Sequence, residues 1–149
     1  MLARSIIISI LLFYSFNLFG QTEYGKYVEE KRLNQRQIEK FEGAVYEVIY
    51  IGAFKDQQHI VKYHILSVFR NVQAAIEMHG HTEVIFLDKN LKLIKQIELA
   101  LPEELPFKLE ENKLHFHYTD DNSHIQKVFE FDLDGKIPES LCVSPSVCY

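Results

Sequence analysis

The sequence predicts a mainly β (α+β) fold, in which an antiparallel β-meander forms a sandwich or a small up-and-down barrel with an N-terminal helix. Two observations carry this prediction. Short segments rich in β-branched and aromatic residues recur from residue 44 onward, separated by turn-forming residues about every 8–12 positions. The strand–helix–strand alternation of a doubly wound fold is absent. With 149 residues, 47% of them hydrophobic, the chain is long enough to bury one core.

Residues 1–20 have the layout of a secretory signal peptide. Arg4 supplies the positive start, an apolar run fills 5–19, and the small Gly20 precedes the polar Gln21. An uncleaved membrane anchor is the alternative, but a span needs about 20 apolar residues and this run is interrupted by serine and asparagine. A bacterial lipoprotein signal would need a cysteine at the position of Gln21. We expect cleavage after Gly20, which leaves one domain over 21–149.

The first element of that domain is predicted to be a helix over about 23–42. This segment is polar and rich in good helix formers, and Gly43 is a plausible helix stop. Its apolar residues form only a thin stripe: Val28, Leu33, Ile38 and Phe41. The helix should therefore lie on the domain surface along one narrow edge.

Strands follow from Ala44 onward. The pattern predicts them over 45–51, 59–68, 83–87, 91–99, 113–118 and 125–133, with turns at 55–58, 88–90, 119–123 and 134–135. Segment 67–80 is ambiguous, because its apolar residues fit either a helix or one face of a strand. We favour a strand, since the flanking segments would then form hairpins.

The cysteines indicate a disulfide and an oxidising compartment. Cys142 and Cys148 are the two cysteines of the chain, and five residues separate them. An even pair at short spacing in an exported domain is typical of a structural disulfide. A redox pair is usually spaced C-x-x-C, and a structural zinc site normally has that spacing twice. The location predicted from these features is periplasmic or secreted.

Two histidine pairs are the candidate metal ligands. His79 and His81, and likewise His115 and His117, are spaced so that a strand would place both rings of a pair on one face. If the two pairs met, the four imidazoles would suit zinc or copper, and Glu83 could add an oxygen ligand. The alternative is that these histidines are ordinary polar residues on the solvent-facing side of a strand.

No catalytic motif is present in the sequence. It contains no G-x-S-x-G segment or glycine-rich phosphate loop, and the formal net charge of −5 argues against a nucleic-acid-binding domain. We therefore expect a small exported, non-enzymatic binding or interaction module without a cofactor and without an integral membrane domain after cleavage. Its partner would be a protein, an envelope component or a small apolar ligand. A zinc- or copper-binding domain is the alternative function.

Overall fold

The computed structural model describes residues 24–29, 32–41, 43–74, 77–120 and 122–149, and the predicted signal peptide lies outside them. The fold is mainly β and antiparallel, as predicted. Five strands form one sheet in the order β1-β2-β3-β4-β5, and three form a second in the order β6-β7-β8. Within each sheet every strand pairs with its neighbours in the chain, which is the arrangement of a meander.

The elements have the following bounds. A short helix, α1, spans Gly25–Glu29. The large sheet contains β1 (Arg36–Phe41), β2 (Ala44–Lys55), β3 (Val61–Ala74), β4 (Glu77–Asp88) and β5 (Leu93–Leu99). A 3-10 turn at Pro102–Glu104 leads to the small sheet of β6 (Lys108–Glu110), β7 (Lys113–Thr119) and β8 (Gln126–Asp132). The strands β9 (Cys142–Ser144) and β10 (Val147–Cys148) form a separate hairpin.

The predicted helix over 23–42 is correct only for its first part. Helix α1 ends at Glu29, and Arg36–Phe41 is a strand that pairs antiparallel with the start of β2. Gly43, with a φ of 80°, lies in the turn between β1 and β2 and does not end a helix. None of the described helices is long and apolar enough to cross a membrane.

The strand interpretation of 67–80 is confirmed for the described part of that segment. Residues up to Ala74 belong to β3, and residues from Glu77 belong to β4, which pairs with β3 along its whole length. Gly80 stands inside β4 because the Phe69 ring lies over it. A Cβ at this position would come within 3.0 Å of Cε2 of Phe69.

Three hairpin turns have the same hydrogen-bonding pattern. In each, an aspartate at a strand end accepts hydrogen bonds from backbone N–H groups two to four residues further on. One of the following residues then adopts a positive φ. The aspartates are Asp56, Asp88 and Asp120, and the positive-φ residues are His59, Leu91 and His124. The carboxylates satisfy the turn amides and so help to fix the strand register.

The predicted turn at 134–135 does not join two strands. Strand β8 ends at Asp132 and the next strand begins at Cys142, so no hairpin forms there. Gly135 has a φ of 89°, a conformation that glycine adopts without steric cost. This glycine therefore bends the chain away from the small sheet.

The main core lies between the two sheets, which pack face to face as a sandwich. Alternate residues of the large sheet, among them Ile65 and Phe86, form one buried cluster with Leu114 and Phe116 of β7. Period-2 alternation in β7 turns these two side chains inward, as the sequence predicts. A second buried cluster covers the other face of the large sheet, where Tyr27 and Val28 of α1 pack on β2, β3 and β4.

The C-terminal hairpin contributes to the main core and carries the predicted disulfide. Cys142 and Cys148 are joined, and they face each other across the β9–β10 pair. Leu141 and Val143 are buried in the main core. The hydroxyl of Tyr149 donates a hydrogen bond of 2.7 Å to Glu104, which ties the hairpin to the 3-10 turn.

We predict that Leu114→Ala lowers the free energy of unfolding by about 3 kcal/mol, because a fully buried leucine would leave a cavity in the core. Ile125→Ala is the matched control, since that side chain is 61% exposed, and it should change the free energy by no more than about 0.5 kcal/mol. Urea denaturation of the two variants measures both values. Equal losses would contradict the assignment of the inward face of β7.

Candidate functional site

A cleft of about 910 Å³ opens beside the second half of β2, between α1 and the β6–β7 turn. Its apolar residues come from several elements: Val28, Leu33, Tyr50, Ile51, Ala53, Val61 and Leu109. Polar residues stand among them: Lys55, Asp56, Gln57, His59, His64, Glu111 and Asn112. The cleft therefore joins an apolar surface to a few hydrogen-bonding groups, as ligand pockets do.

A tyrosine–histidine pair lies in this cleft. The hydroxyl of Tyr50 is 2.9 Å from Nδ1 of His64, and the two rings are tilted against each other. Burial raises the pKa of the Tyr50 hydroxyl. Burial also lowers the pKa of His64, and the charge of Asp88 opposes this shift only in part. Both groups are therefore held in their uncharged forms near neutral pH.

The backbone edge of β2 forms part of the cleft. Strand β1 pairs with β2 only over Ala44–Ile49, and one residue further on Asn34 N–H donates a hydrogen bond to the Tyr50 carbonyl at 2.8 Å. Between Ile51 and Phe54 no strand of the described chain lies against this edge.

Asn112 protects the far end of the same edge. Its side-chain amide donates to the Lys55 carbonyl at 2.8 Å, and its carbonyl oxygen accepts from Lys55 N–H at 3.4 Å. Glu111 and Asn112 both have positive φ and form the two-residue turn between β6 and β7. That turn therefore brings the carboxamide to the edge of the other sheet.

Gly52 forms the floor of the cleft, where the absence of a side chain leaves room for Leu109 and Leu33. Its φ is 146°, and β2 carries a bulge between Tyr50 and Gly52. A Cβ at Gly52 would come within 3.1 Å of Cδ2 of Leu109 and 3.7 Å of Cδ1 of Leu33. A larger residue would therefore displace the Leu109 side chain, whereas its distance to Leu33 would be an ordinary contact.

His115 and His117 share the outer face of β7, as the strand alternation predicts. Phe107 lies against both rings: it stacks on His117 with centroids 4.0 Å apart and meets His115 at 6.2 Å. The His115 side chain is only 12% exposed, and its Nδ1 is 3.9 Å from Glu130. Its Nε2 is buried and has no hydrogen-bond partner among the described residues. Both histidines therefore lie on the outward face as expected, but only His117 is exposed, because Phe107 and Glu130 lie against His115.

The structure does not bring the two histidine pairs together. His81 lies on the face of β4 that carries Ile85, opposite the small sheet, and its Nδ1 is 3.4 Å from Glu98. The rings of His115 and His117 point away from the core on the other side of the sandwich. The backbone of His79 pairs with Val72, but the His79 side chain lies outside the described residues.

In the described part of the chain, no three side chains of histidine, cysteine, aspartate or glutamate come together as a metal site. Glu83, the additional ligand considered from the sequence, is buried on the same face of β4 as His81. Zinc or copper binding by either histidine pair alone stays a prediction. Cys142 and Cys148 are bonded to each other and are not available as ligands.

Sequence reasoning did not identify the cleft. Tyr50 and His64 lie in predicted strands at a separation of 14 residues, and no local motif joins them. Their contact depends on the antiparallel register of β2 and β3 and on the bulge before Gly52. A glycine inside an otherwise β-branched strand is the one available signal, because it often marks a bulge or a close approach.

We predict that the free energy of unfolding falls as the pH drops below about 6.5, because His64 has a lowered pKa in the folded state. The unfolded chain then takes up the proton more readily than the folded one, so stability is present above that pH and lost below it. His64→Gln should remove this part of the pH dependence, measured by urea denaturation between pH 8 and pH 5.

Tyr50→Phe is the control for the His64 experiment. It removes the hydroxyl but keeps the buried histidine, so it should cost about 1 kcal/mol at pH 8 and retain the pH dependence. A His64→Gln variant with the same pH profile as the unmodified protein would contradict the assignment.

Comparisons of the chain with protein-family models, with curated proteins and with solved structures returned no match. The choice among candidate sites therefore depends on the geometry of this chain. The cleft beside β2 combines an apolar surface with several polar groups, and it is the candidate functional site.

Proposed function

We propose that this protein is a small exported, non-enzymatic binding module and that its ligand occupies the cleft beside β2. The observation that carries the proposal is the cleft itself, whose volume of about 910 Å³ falls in the range of small-molecule and peptide sites. Its apolar walls supply affinity by releasing water, and its few polar groups orient the ligand.

The polar groups of the cleft support binding because they are already held in place by one another. Tyr50 and His64 form one pair, and the carboxamide of Asn112 holds the backbone of Lys55. Asp56 accepts hydrogen bonds within its turn and forms an ion pair with Lys62 at 2.9 Å. A preorganised surface of this kind loses little conformational entropy when a ligand binds.

Two features support export. Residues 1–20 have the order of a signal peptide, with Arg4, an apolar run and Gly20 in sequence. The Cys142–Cys148 bond is of a kind that persists in oxidising compartments. These features support our proposal that the protein is exported to the periplasm or out of the cell.

Export predicts a shortened chain. Mass spectrometry of the protein recovered from the producing cells should find an N-terminus at Gln21 or within two residues of it, and a mass that accounts for an intact disulfide. Recovery of the chain starting at Met1 in the membrane fraction would contradict cleavage. Two freely alkylated cysteines in the exported fraction would contradict the oxidising location.

Binding in the cleft predicts that the uncharged dye Nile red becomes fluorescent with the purified protein and that Leu33→Asp weakens its affinity about tenfold. Leu33 lines the cleft and is 53% exposed, so the substitution replaces an apolar contact of the dye with a charge at little cost to the fold. Fluorescence titration measures the affinity.

The matched control is Ile38→Asp. Ile38 is 58% exposed on β1 and does not line the cleft, so this variant has the same added charge and should bind the dye like the unmodified protein. Equal weakening by both variants, or no fluorescence with the unmodified protein, would contradict a ligand site in the cleft.

A further inference from the structure

We propose that the ligand of the cleft is an extended, uncharged peptide segment of another protein, which pairs through its backbone with the free edge of β2 at Ala53. This inference rests on the proposed function, since it names the class of ligand that the cleft takes. The argument depends on which backbone groups of β2 are already paired and which face the cleft.

The bonds to Lys55 show which way the backbone of β2 points. In a strand, the N–H and C=O of one residue point to the same edge, and those of the next residue point to the opposite edge. Asn112 bonds both groups of Lys55 from the edge that faces the cleft. Ala53, two residues earlier, therefore directs its N–H and C=O to the same edge.

The irregularities in the β2–β3 pairing leave this alternation intact. One shift lies before Gly52, where the extra residue is Ile51. The other lies after Phe54, where the extra residue, Lys62, belongs to β3. Strand β2 has no extra residue between Ala53 and Lys55, so Ala53, like Lys55, faces away from β3.

Ala53 is consequently the gap in an otherwise paired edge. The Tyr50 carbonyl on one side accepts from Asn34, and Lys55 on the other is held by Asn112. No hydrogen bond from outside its own sheet reaches the backbone of Ala53 within the described chain. Ala53 also lines the cleft, so a ligand there meets one donor and one acceptor in the geometry of a β-ladder.

The chemistry that satisfies this pair is a peptide backbone. An extended residue offers one N–H and one C=O to an antiparallel partner, and strand addition at a free edge is a common mode of peptide recognition. The contact of Asn112 with Lys55 already has this form, because a carboxamide carries the same donor and acceptor as a peptide group.

The walls of the cleft define the side chains that such a peptide would carry. Leu33 and Leu109 flank the floor at Gly52, and Val61 lies beyond it on β3. Asp56 is paired with Lys62, and the other two ionic groups of the cleft, Lys55 and Glu111, have opposite charges, so the cleft favours neither sign. A segment of small apolar residues with an uncharged polar residue at each end fits this arrangement.

The test uses the blocked peptide acetyl-Thr-Val-Val-Val-Thr-amide and a second peptide that is N-methylated on all three valines. Titration into the 15N-labelled protein should move the amide signals of the cleft, and that of Ala53 should exchange more slowly with solvent when the first peptide is bound. The methylated peptide should bind at least about tenfold more weakly, because it lacks the N–H groups that would bond the Ala53 carbonyl.

A protein variant tests the other bond of the pair. Ala53→Pro removes the outward N–H at an edge position, where proline is tolerated. It should weaken the binding of the unmethylated peptide about tenfold. If this variant does not fold, the comparison of the two peptides on the unmodified protein still decides the question.

Three results would overturn the proposal. Equal affinity for both peptides would show that side chains alone bind. Dye binding without any peptide binding would leave the proposed function standing and refute the peptide as its ligand. Absence of both dye and peptide binding would refute the cleft as a site altogether.

Discussion

The packing of Leu114 and Phe116 against the inner face of the large sheet is the interaction on which the other features depend. Both side chains are fully buried, and they belong to β7, the central strand of the small sheet. Because the strand period is two, burying them fixes the outward direction of His115 and His117. It also fixes where the β6–β7 turn lies, and that turn carries Asn112 to the edge of β2. The cleft therefore depends on the register of β7, although no residue of β7 lines it.

The free edge of β2 arises from a mismatch in strand length. Strand β2 spans 12 residues and β1 only 6, so β1 covers one half of its neighbour, and no other strand of the described residues covers the rest of this edge. An uncovered edge is a liability, because it presents unpaired backbone groups to other chains. The protein limits the exposed length to a few residues by placing Asn34 at one end and Asn112 at the other. Among the described residues, the backbone groups of Ala53 are what remains unpaired between them.

Much of the fold could be predicted from local pattern. The structure agrees with three predictions of this kind: the inward face of the strand over 113–118, the strands over the described part of 67–80, and the disulfide. Each depends on residues that are close together in the sequence. The segment 36–41 was predicted to be a helix because its residues are polar and helix-prone. Its pairing with Ala44–Ile49 outweighs that weak preference, and the ion pair between Arg36 and Glu47 across the two strands supports it.

The candidate site was less predictable for a different reason. Tyr50 and His64 meet only because two strands pair in one register with one extra residue, and the pairing of Asn112 with Lys55 joins residues 57 positions apart. Histidines spaced two apart draw attention in a sequence, whereas a single tyrosine and a single histidine in separate strands do not. The residues that form the cleft come from several strands and turns, so the spacing of residues within one segment does not predict it.

The shared design of the three aspartate turns has a consequence for how the chain folds. Each turn closes its own hairpin from residues that are neighbours in sequence, and hairpins of this size form in about 1–10 μs. In both sheets, each strand pairs with the strand next to it in the chain, so each sheet forms through contacts between residues that are close in sequence. The contacts between the two sheets, by contrast, join residues far apart in the chain, because the main core combines Ile65 with Phe116. The cleft takes its walls from both sheets, so its formation requires those long-range contacts.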